Sequence, residues 1–170
     1  MNIIDDKNIP WAGGWFMDKH TLKSERTPEG FKNDRSELGE LLYQYKYKNN
    51  RDIYPILADK MFDFIKSENK LNQLSTITWV PSSKPRVNPI LEPIAIRLAK
   101  RIGCNYDELI KRKKDRDYVK HKNKDEIEKI LKNAFELDLD ACKQYNGKKV
   151  LLIDDLCRTR MTFKKIAELV

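Results

Sequence analysis

The sequence KKVLLIDD at residues 148–155 gives the strongest indication of the fold, because it is an apolar segment that stops at two adjacent carboxylates. The sequence LCRTRMT at residues 156–162 follows as a short loop with hydroxyl groups, and residues 163–170 have the composition of a helix. This order predicts a buried strand with Asp154 and Asp155 at its carboxyl end. Ligands bind at that edge of open α/β sheets, where loop amides and the amino end of the next helix face a phosphate.

Two adjacent acids after a strand are also typical of a chain that leaves the core into a solvated turn. The loop favours a ligand site over a solvated turn, since Arg158, Thr159 and Thr162 supply anion-binding groups within a few residues of the acids. We therefore interpret residues 154–162 as a candidate ligand site.

A second segment has the same order of strand, polar loop and helix. Residues 76–80, TITWV, have the composition of a strand, residues 81–86 are a polar loop, and Asn88-Pro89 opens a helix. The apolar residues of that helix recur at helical spacing: Ile90, Leu91, Ile94, Leu98 and Ile102. Two such units predict an α/β fold with a Rossmann-like parallel sheet flanked by helices, whose two loops converge. Alone, the second loop is also typical of an ordinary turn.

The strand and loop that carry the acids resemble the phosphoribosyl-pyrophosphate (PRPP) binding motif of type I phosphoribosyltransferases. That motif has four apolar residues, two acids, a hydrophobe and a hydroxyl-rich loop with one glycine. Asp154 and Asp155 match the acids, and Thr159 and Thr162 match two hydroxyl residues of the loop.

The resemblance extends to the competence-protein ComF branch of that family. The sequence LLYQYKY at residues 41–47 is similar to a Lys-Tyr segment of the branch, and the basic loop, Gly-Lys-Lys and Asp-Asp strand follow in the same order. The resemblance runs from about Glu37 onward and implies a sheet that lacks the family's last strand or strands. A homodimer contact or a partner protein is then expected at the exposed sheet edge. No cysteine precedes Cys104, so we predict no counterpart of the branch's structural zinc.

The resemblance implies a reaction in which a nitrogen nucleophile displaces pyrophosphate from C1′ of PRPP. Asp154 and Asp155 are the implied catalytic residues, which hold the ribose hydroxyls and stabilise positive charge in the transition state. Mg²⁺ is expected to arrive with PRPP, bound by substrate oxygens and water. The residues implied in binding the 5′-phosphate are Arg158, Thr159, Arg160, Met161 and Thr162. Those implied near the pyrophosphate are Ser82, Ser83, Lys84 and Arg86, together with Arg112 and Lys113 from a flexible basic loop.

Arg160 stands where the family has glycine, and Arg158 stands where it has Thr or Ser. Glycine permits a positive φ and a close approach of the backbone to phosphate, and another residue forced into that conformation costs about 1–3 kcal/mol. The Arg160 side chain either fills the phosphate pocket and inactivates the protein, or binds the phosphate bidentately beside Arg158. We favour retained ligand binding, because the acids and threonines are present.

The net charge of +8 is concentrated in residues 111–124, where eight Lys or Arg residues and two Asp residues give +6. This stretch is typical of a solvated surface loop, and it also suits a lid over pyrophosphate or a contact to nucleic acid. Its one aromatic residue, Tyr118, disfavours base stacking on single strands. The alternative function is therefore a catalytically inactive nucleotide-sensing or DNA-associated module in regulation or defence.

Length and composition fit a single globular chain, which we divide into an N-terminal extension or hood at residues 1–33 and the α/β domain at residues 34–170. The sequence has no apolar run of membrane-spanning length and no signal-peptide pattern at its start. With three widely spaced cysteines, these features predict a cytoplasmic protein without membrane contact. His20 and His121 are predicted surface residues, and His20 is also a candidate contact to an acceptor base.

Overall fold

The computed structural model describes residues 2–3, 13–67, 72–82, 89–113, 123–157 and 160–169. Several predicted site residues lie outside these ranges: Ser83, Lys84, Arg86, Arg158 and Thr159. Most of the basic stretch, residues 114–122, also lies outside them.

The described residues form nine strands and six α-helices. The strands are β1 Asn2–Ile3, β2 Trp15–Phe16, β3 Thr21–Thr27, β4 Gly30–Arg35, β5 Thr76–Trp79, β6 Asn105–Tyr106, β7 Ile110–Arg112, β8 Phe135–Leu137 and β9 Val150–Ile153. The helices are α1 Glu37–Tyr47, α2 Tyr54–Ser67, α3 Leu91–Ile102, α4 Lys124–Lys132, α5 Leu139–Lys143 and α6 Met161–Ala167. Within the described ranges, none of these helices combines the length and the apolar composition needed to cross a bilayer.

A parallel three-stranded sheet with the order β6-β5-β9 lies at the centre of the fold. β5 and β9 pair from Thr76 opposite Val150 to Trp79 opposite Ile153. All four residues of β5 are buried, as expected for a strand with a neighbour on each side and side chains packed on both faces. The predicted α/β fold with a parallel sheet flanked by helices is thereby confirmed.

β9 lies at one edge of this sheet, and among the described residues β5 is its one strand neighbour. Val150 at its start is 40% exposed, and Ile153 is the one residue of β9 that is buried. The prediction of a buried strand is therefore wrong for most of β9, because a strand at the edge of a sheet is covered by a neighbouring strand on one side only. The homodimer or partner contact expected at this edge stays a prediction.

Side-chain alternation along β9 divides the core into two clusters. Leu151 and Ile153 pack with residues of α1, α2 and α3, whereas Leu152 packs with residues of β7, β8, α4 and α6. The predicted inner face of α3 is confirmed, since four of its five residues are buried and Ile102 is half-buried. The sheet therefore has packed side chains on both faces, and its carboxyl edge is left for the loops.

The two threonines of β5 are buried on the strand and have hydrogen-bond partners. Thr76 Oγ1 donates to Asp107 Oδ2 at 3.0 Å, and Thr78 Oγ1 accepts from the Leu109 backbone N–H at 3.2 Å. The Tyr145 hydroxyl donates to the same carboxylate. These bonds tie β5 to the segment after β6 and to the turn before β9.

The amino-terminal part, for which the sequence predicts an ordered extension or a short strand pair, contains a β-hairpin of β3 and β4. The hairpin runs from Thr21 opposite Arg35 to Thr27 opposite Gly30, so it crosses the boundary drawn between residues 33 and 34. Nearly all of its residues are exposed or half-buried, and it therefore lacks the apolar alternation by which a half-buried strand is recognised.

Candidate functional site

The acidic pair follows directly on the last residue of β9. Ile153 is buried, and Asp154 and Asp155 are half-buried. The Asp155 backbone N–H donates to Asp154 Oδ1 at 2.8 Å, which orients the first carboxylate. The Val80 backbone N–H donates to the Ile153 carbonyl at 3.0 Å. The loops after β5 and β9 therefore begin side by side, as the parallel pairing requires.

Asp154 has a higher pKa than an ordinary aspartate. Burial raises its pKa to about 7, and the neighbouring charge of Asp155 adds to the increase. The backbone N–H groups of Asp155 and Leu156 and the ammonium of Lys46 act in the opposite direction. Near neutral pH Asp154 is therefore present in both its protonated and its ionised form.

Lys46, in the last turn of α1, is the basic partner of the pair. Its Nζ lies 2.6 Å from Asp155 Oδ2, and the two side chains are only 15% and 17% exposed. Lys46 belongs to the segment 41–47, whose sequence alone indicates no role for this residue. The contact joins residues that are 109 positions apart, so no local pattern reveals it.

His20 brings the segment before the hairpin to the same site. Burial lowers its pKa, the positive charges of Arg35 and Lys46 lower it further, and the carboxylates of Asp155 and Glu40 oppose the decrease. His20 is thus a half-buried residue among the charged groups of the site. The prediction of a surface histidine holds in part, because the ring is half-buried while its hydrogen bond to Thr21 Oγ1 is exposed.

Gly39 and Arg35 hold this segment against α1. A side chain at position 39 would collide with the backbone carbonyl of His20, so glycine permits the close approach. Arg35 Nη1 donates to Glu40 Oε2 at 3.1 Å, and its guanidinium lies 3.7 Å from the centre of the Tyr43 ring. The hairpin end, the segment at His20 and α1 therefore form one connected wall beside the acidic pair.

Arg160 has a backbone conformation that glycine adopts more readily than other residues. Its φ of 58° and ψ of −3° lie in the left-handed region, and it is the residue immediately before α6. Met161 and Thr162 begin that helix rather than lying in the loop. Nearby, burial raises the pKa of the Cys157 thiol, which favours the unreactive protonated form.

The loop after β5 is described as far as Ser82. Arg112 Nη1 donates to the carbonyls of Pro81 at 2.8 Å and Ser82 at 3.1 Å, and the guanidinium lies 4.8 Å from the Phe135 ring centre. Arg112 was predicted in a flexible loop, but it is the last residue of β7, because Ile110–Arg112 pairs with β8. Lys113 follows as an exposed residue outside the strand.

A cavity of about 1610 Å³ extends along β9 to the acidic pair. Its lining includes Asp154, Asp155, Cys157 and the segment from Gly13 to Thr21. Most of the remaining lining is apolar and belongs to the two core clusters. The acidic pair is thus a polar patch on the wall of a largely apolar space, which is the usual composition of small-molecule sites.

Within the described residues, no three or more His, Cys, Asp or Glu side chains are grouped so as to hold a metal ion. Of the two carboxylates of the site, Asp155 is paired with the ammonium of Lys46. A divalent cation bound here would need oxygens from its ligand or from water to complete its coordination.

Comparison with known proteins gives no family for this chain. No protein-family model matches it, and no curated protein matches it in sequence. A functional proposal therefore rests on the site residues and on the motif that they resemble.

Proposed function

We propose that this protein is a phosphoribosyltransferase-like protein of the type I class, ComF-like branch, which binds Mg-PRPP or a ribose-phosphate nucleotide and transfers or hydrolyses the phosphoribosyl group. The observation that carries the proposal is the carboxyl end of β9. Two adjacent carboxylates there are followed, at residue 160, by a left-handed backbone conformation. The motif has glycine at that place, and the conformation is retained although the residue is arginine.

The proposed chemistry assigns the acidic pair to the ribose. The 2′ and 3′ hydroxyls donate hydrogen bonds to Asp154 and Asp155, and the carboxylates stabilise positive charge as the C1′–oxygen bond to pyrophosphate breaks. The bonding electron pair leaves with pyrophosphate, and a nitrogen nucleophile or water forms the new bond to C1′. Ionised carboxylates suit this role best, so the proposed binding strengthens as the pH rises through the pKa of Asp154 at about 7.

The phosphates are assigned to the two loops. Arg160 and Thr162 would bind the 5′-phosphate together with Arg158 and Thr159. Ser82 and the other residues of its loop would bind the pyrophosphate. Mg²⁺ belongs to the substrate in this proposal and is held by the pyrophosphate oxygens and water. The bonds from Arg112 to the carbonyls of Pro81 and Ser82 support a role in shaping the second loop, ahead of direct contact with pyrophosphate.

Calorimetric titration with PRPP, with and without Mg²⁺, tests this proposal. We expect Mg²⁺-dependent binding to the unmodified protein at pH 8, where Asp154 is mostly ionised. Asp154→Asn should weaken binding by on the order of tenfold or more, because the amide group no longer provides a charged acceptor. Asp140→Asn is the matched control, since the Asp140 side chain is 90% exposed on α5.

The Arg160→Gly variant tests whether the phosphate site is open or is closed by the arginine side chain. Similar binding by the unmodified protein and by Arg160→Gly supports an open site. Binding only after Arg160→Gly would mean that the arginine closes the site, and the protein would then be an inactive member of the class. Absence of PRPP binding in both proteins would contradict the proposal. Pyrophosphate release from PRPP then reports whether the bound ligand reacts.

A catalytically inactive nucleotide-sensing or DNA-associated module is the second candidate. The net charge of +6 in residues 111–124 favours it. Lys111 is engaged with Asp138 at 2.5 Å, so Lys113→Glu with Lys114→Glu is the better charge reversal. Salt-dependent DNA binding that is lost in this double variant supports the second candidate. Flat DNA titrations with intact PRPP affinity contradict it.

A further inference from the structure

Lys46 forms a salt bridge that is more buried than an ordinary surface ion pair. Its Nζ meets Asp155 Oδ2 at 2.6 Å, and both side chains are largely withdrawn from solvent. It comes from α1, whereas Asp155 follows β9, so the contact is made only in the folded chain. Withdrawing two charged groups from water is costly unless they are paired, and here the acidic partner, Asp155, lines the cavity described above.

The acidic pair has an electrostatic difficulty that a nearby ammonium relieves. Asp154 and Asp155 are adjacent, half-buried and like-charged, and the ligand that we assign to them carries several negative phosphate charges. Two unneutralised carboxylates would repel such a ligand and would favour protonation of one another. An ammonium in direct contact with Asp155 lowers the net charge of the pair while leaving Asp154 to face the cavity.

We propose that Lys46 is a positioning residue of the ligand site: its ammonium fixes Asp155 and supplies the positive charge that lets the acidic pair accept an anionic ribose-phosphate ligand. This inference rests on the proposed function. Lys46 acts through the carboxylates and is not itself assigned a contact with the reacting atoms.

Other charged and titratable groups lie around the acidic pair and contribute to the pH dependence that this test measures. His20 comes from the segment before the hairpin, Arg35 from β4 and Glu40 from α1, and all three interact electrostatically with one another. Cys157 faces Asp154 from the loop after β9. The Lys46 Nζ also lies 5.8 Å from the Tyr47 ring centre.

The experiment measures the affinity for Mg-PRPP from pH 5.5 to pH 9 in the full chain and in Lys46→Met, Lys46→Arg and Lys48→Met. Lys48 is the matched control, because it lies two residues further along and is exposed. We expect Lys46→Met to weaken binding at pH 7 by on the order of tenfold or more. We also expect it to move the midpoint of the pH dependence to a higher pH. Without the ammonium, the Asp154 proton is held more tightly and the ligand meets a more negative site.

Lys46→Arg should restore both the affinity and the midpoint, because it returns a positive charge to the same place. Lys48→Met should behave as the unmodified protein does. His20→Asn identifies any part of the pH dependence that belongs to His20. The titration of the ligand's own phosphates is common to all variants and cancels in the comparison.

A purely structural ion pair gives a different result. Lys46→Met would then lower the thermal unfolding midpoint but leave the pH midpoint of binding unchanged, and this outcome overturns the inference. If Lys46→Met binds as tightly as the unmodified protein while Asp154→Asn does not, the inference is overturned and the proposed function stands. If the unmodified protein and Arg160→Gly both fail to bind PRPP, the proposed function itself fails.

Discussion

The two strand–loop–helix units of the sheet have the same order of elements but different surroundings. β5 is central and fully buried, and it leads to α3, a helix of 12 residues. β9 lies at an edge and is buried only at Ile153, and it leads to α6, a helix of 7 residues. The β5 unit therefore contributes more of the packed core, whereas the β9 unit carries the half-buried carboxylates.

The same contrast appears in the left-handed residues of the two units. α3 ends at Gly103, whose φ is 82°, and α6 is preceded by Arg160, whose φ is 58°. Glycine adopts this conformation without steric cost, whereas arginine does not. The β9 unit thus retains local strain next to the candidate site, a combination that is common at functional sites. Three predictions test this division between a packing unit and a site unit.

The largest effect is expected in the core of the β5 unit. Leu98 on α3 is fully buried at 0% exposure, so Leu98→Ala should lower the free energy of unfolding by about 2–5 kcal/mol, through lost burial and the cavity left behind. Chemical denaturation measures the change. Leu169→Ala, at a residue that is 40% exposed after α6, should change the stability far less. Equal losses in the two variants would contradict the comparison.

The second effect concerns the acidic pair and depends on pH. The pKa of Asp154 is raised from 3.8 to about 7, so the folded protein binds more protons than the unfolded chain between these values. The contribution of Asp154 to stability is therefore lost as the pH rises from about 4 to about 7. This loss is at most about 4 kcal/mol.

Asp154→Asn should remove this dependence, because the amide oxygen still accepts the Asp155 backbone N–H but carries no charge. The variant should be more stable than the unmodified protein at pH 8 by up to that amount, and the advantage should vanish near pH 4. Denaturation at several pH values measures it. A stability difference that stays constant across this pH range would show that Asp154 titrates normally. A variant that is more stable but no longer binds PRPP would confirm that Asp154 is a site residue.

The smallest effects are expected at the left-handed residues, with opposite signs in the two units. Arg160→Gly should raise the free energy of unfolding by about 1 kcal/mol, because glycine relieves the unfavourable φ. Gly103→Ala should lower it by about 1 kcal/mol for the same reason, since an added side chain would meet no atom within 4 Å. Thermal unfolding of both variants measures the two changes in stability. Changes of the same sign would contradict left-handed strain at residue 160.

The parallel sheet was predictable because its signals are local. The apolar runs that became β5 and β9, and the helical spacing of Ile90, Ile94 and Leu98, appear within short windows of the chain. The bounds of the exposed hairpin and the two-residue β6 were not predictable, because neither has an apolar pattern. Arg112 was misplaced for a related reason: a dense run of basic residues indicates a loop, but pairing with β8 makes it the end of a strand.

That two acids follow an apolar strand, and that an arginine stands five residues after the second acid, can be read from the chain alone, because both features are contiguous. The salt bridge of Lys46 with Asp155, the place of His20 at the same site and the left-handed conformation of Arg160 are visible only in the folded protein. Their physical origin is long-range packing. It brings α1 to the end of β9 and supplies the contact energy that opposes local backbone preference and the cost of burying charge.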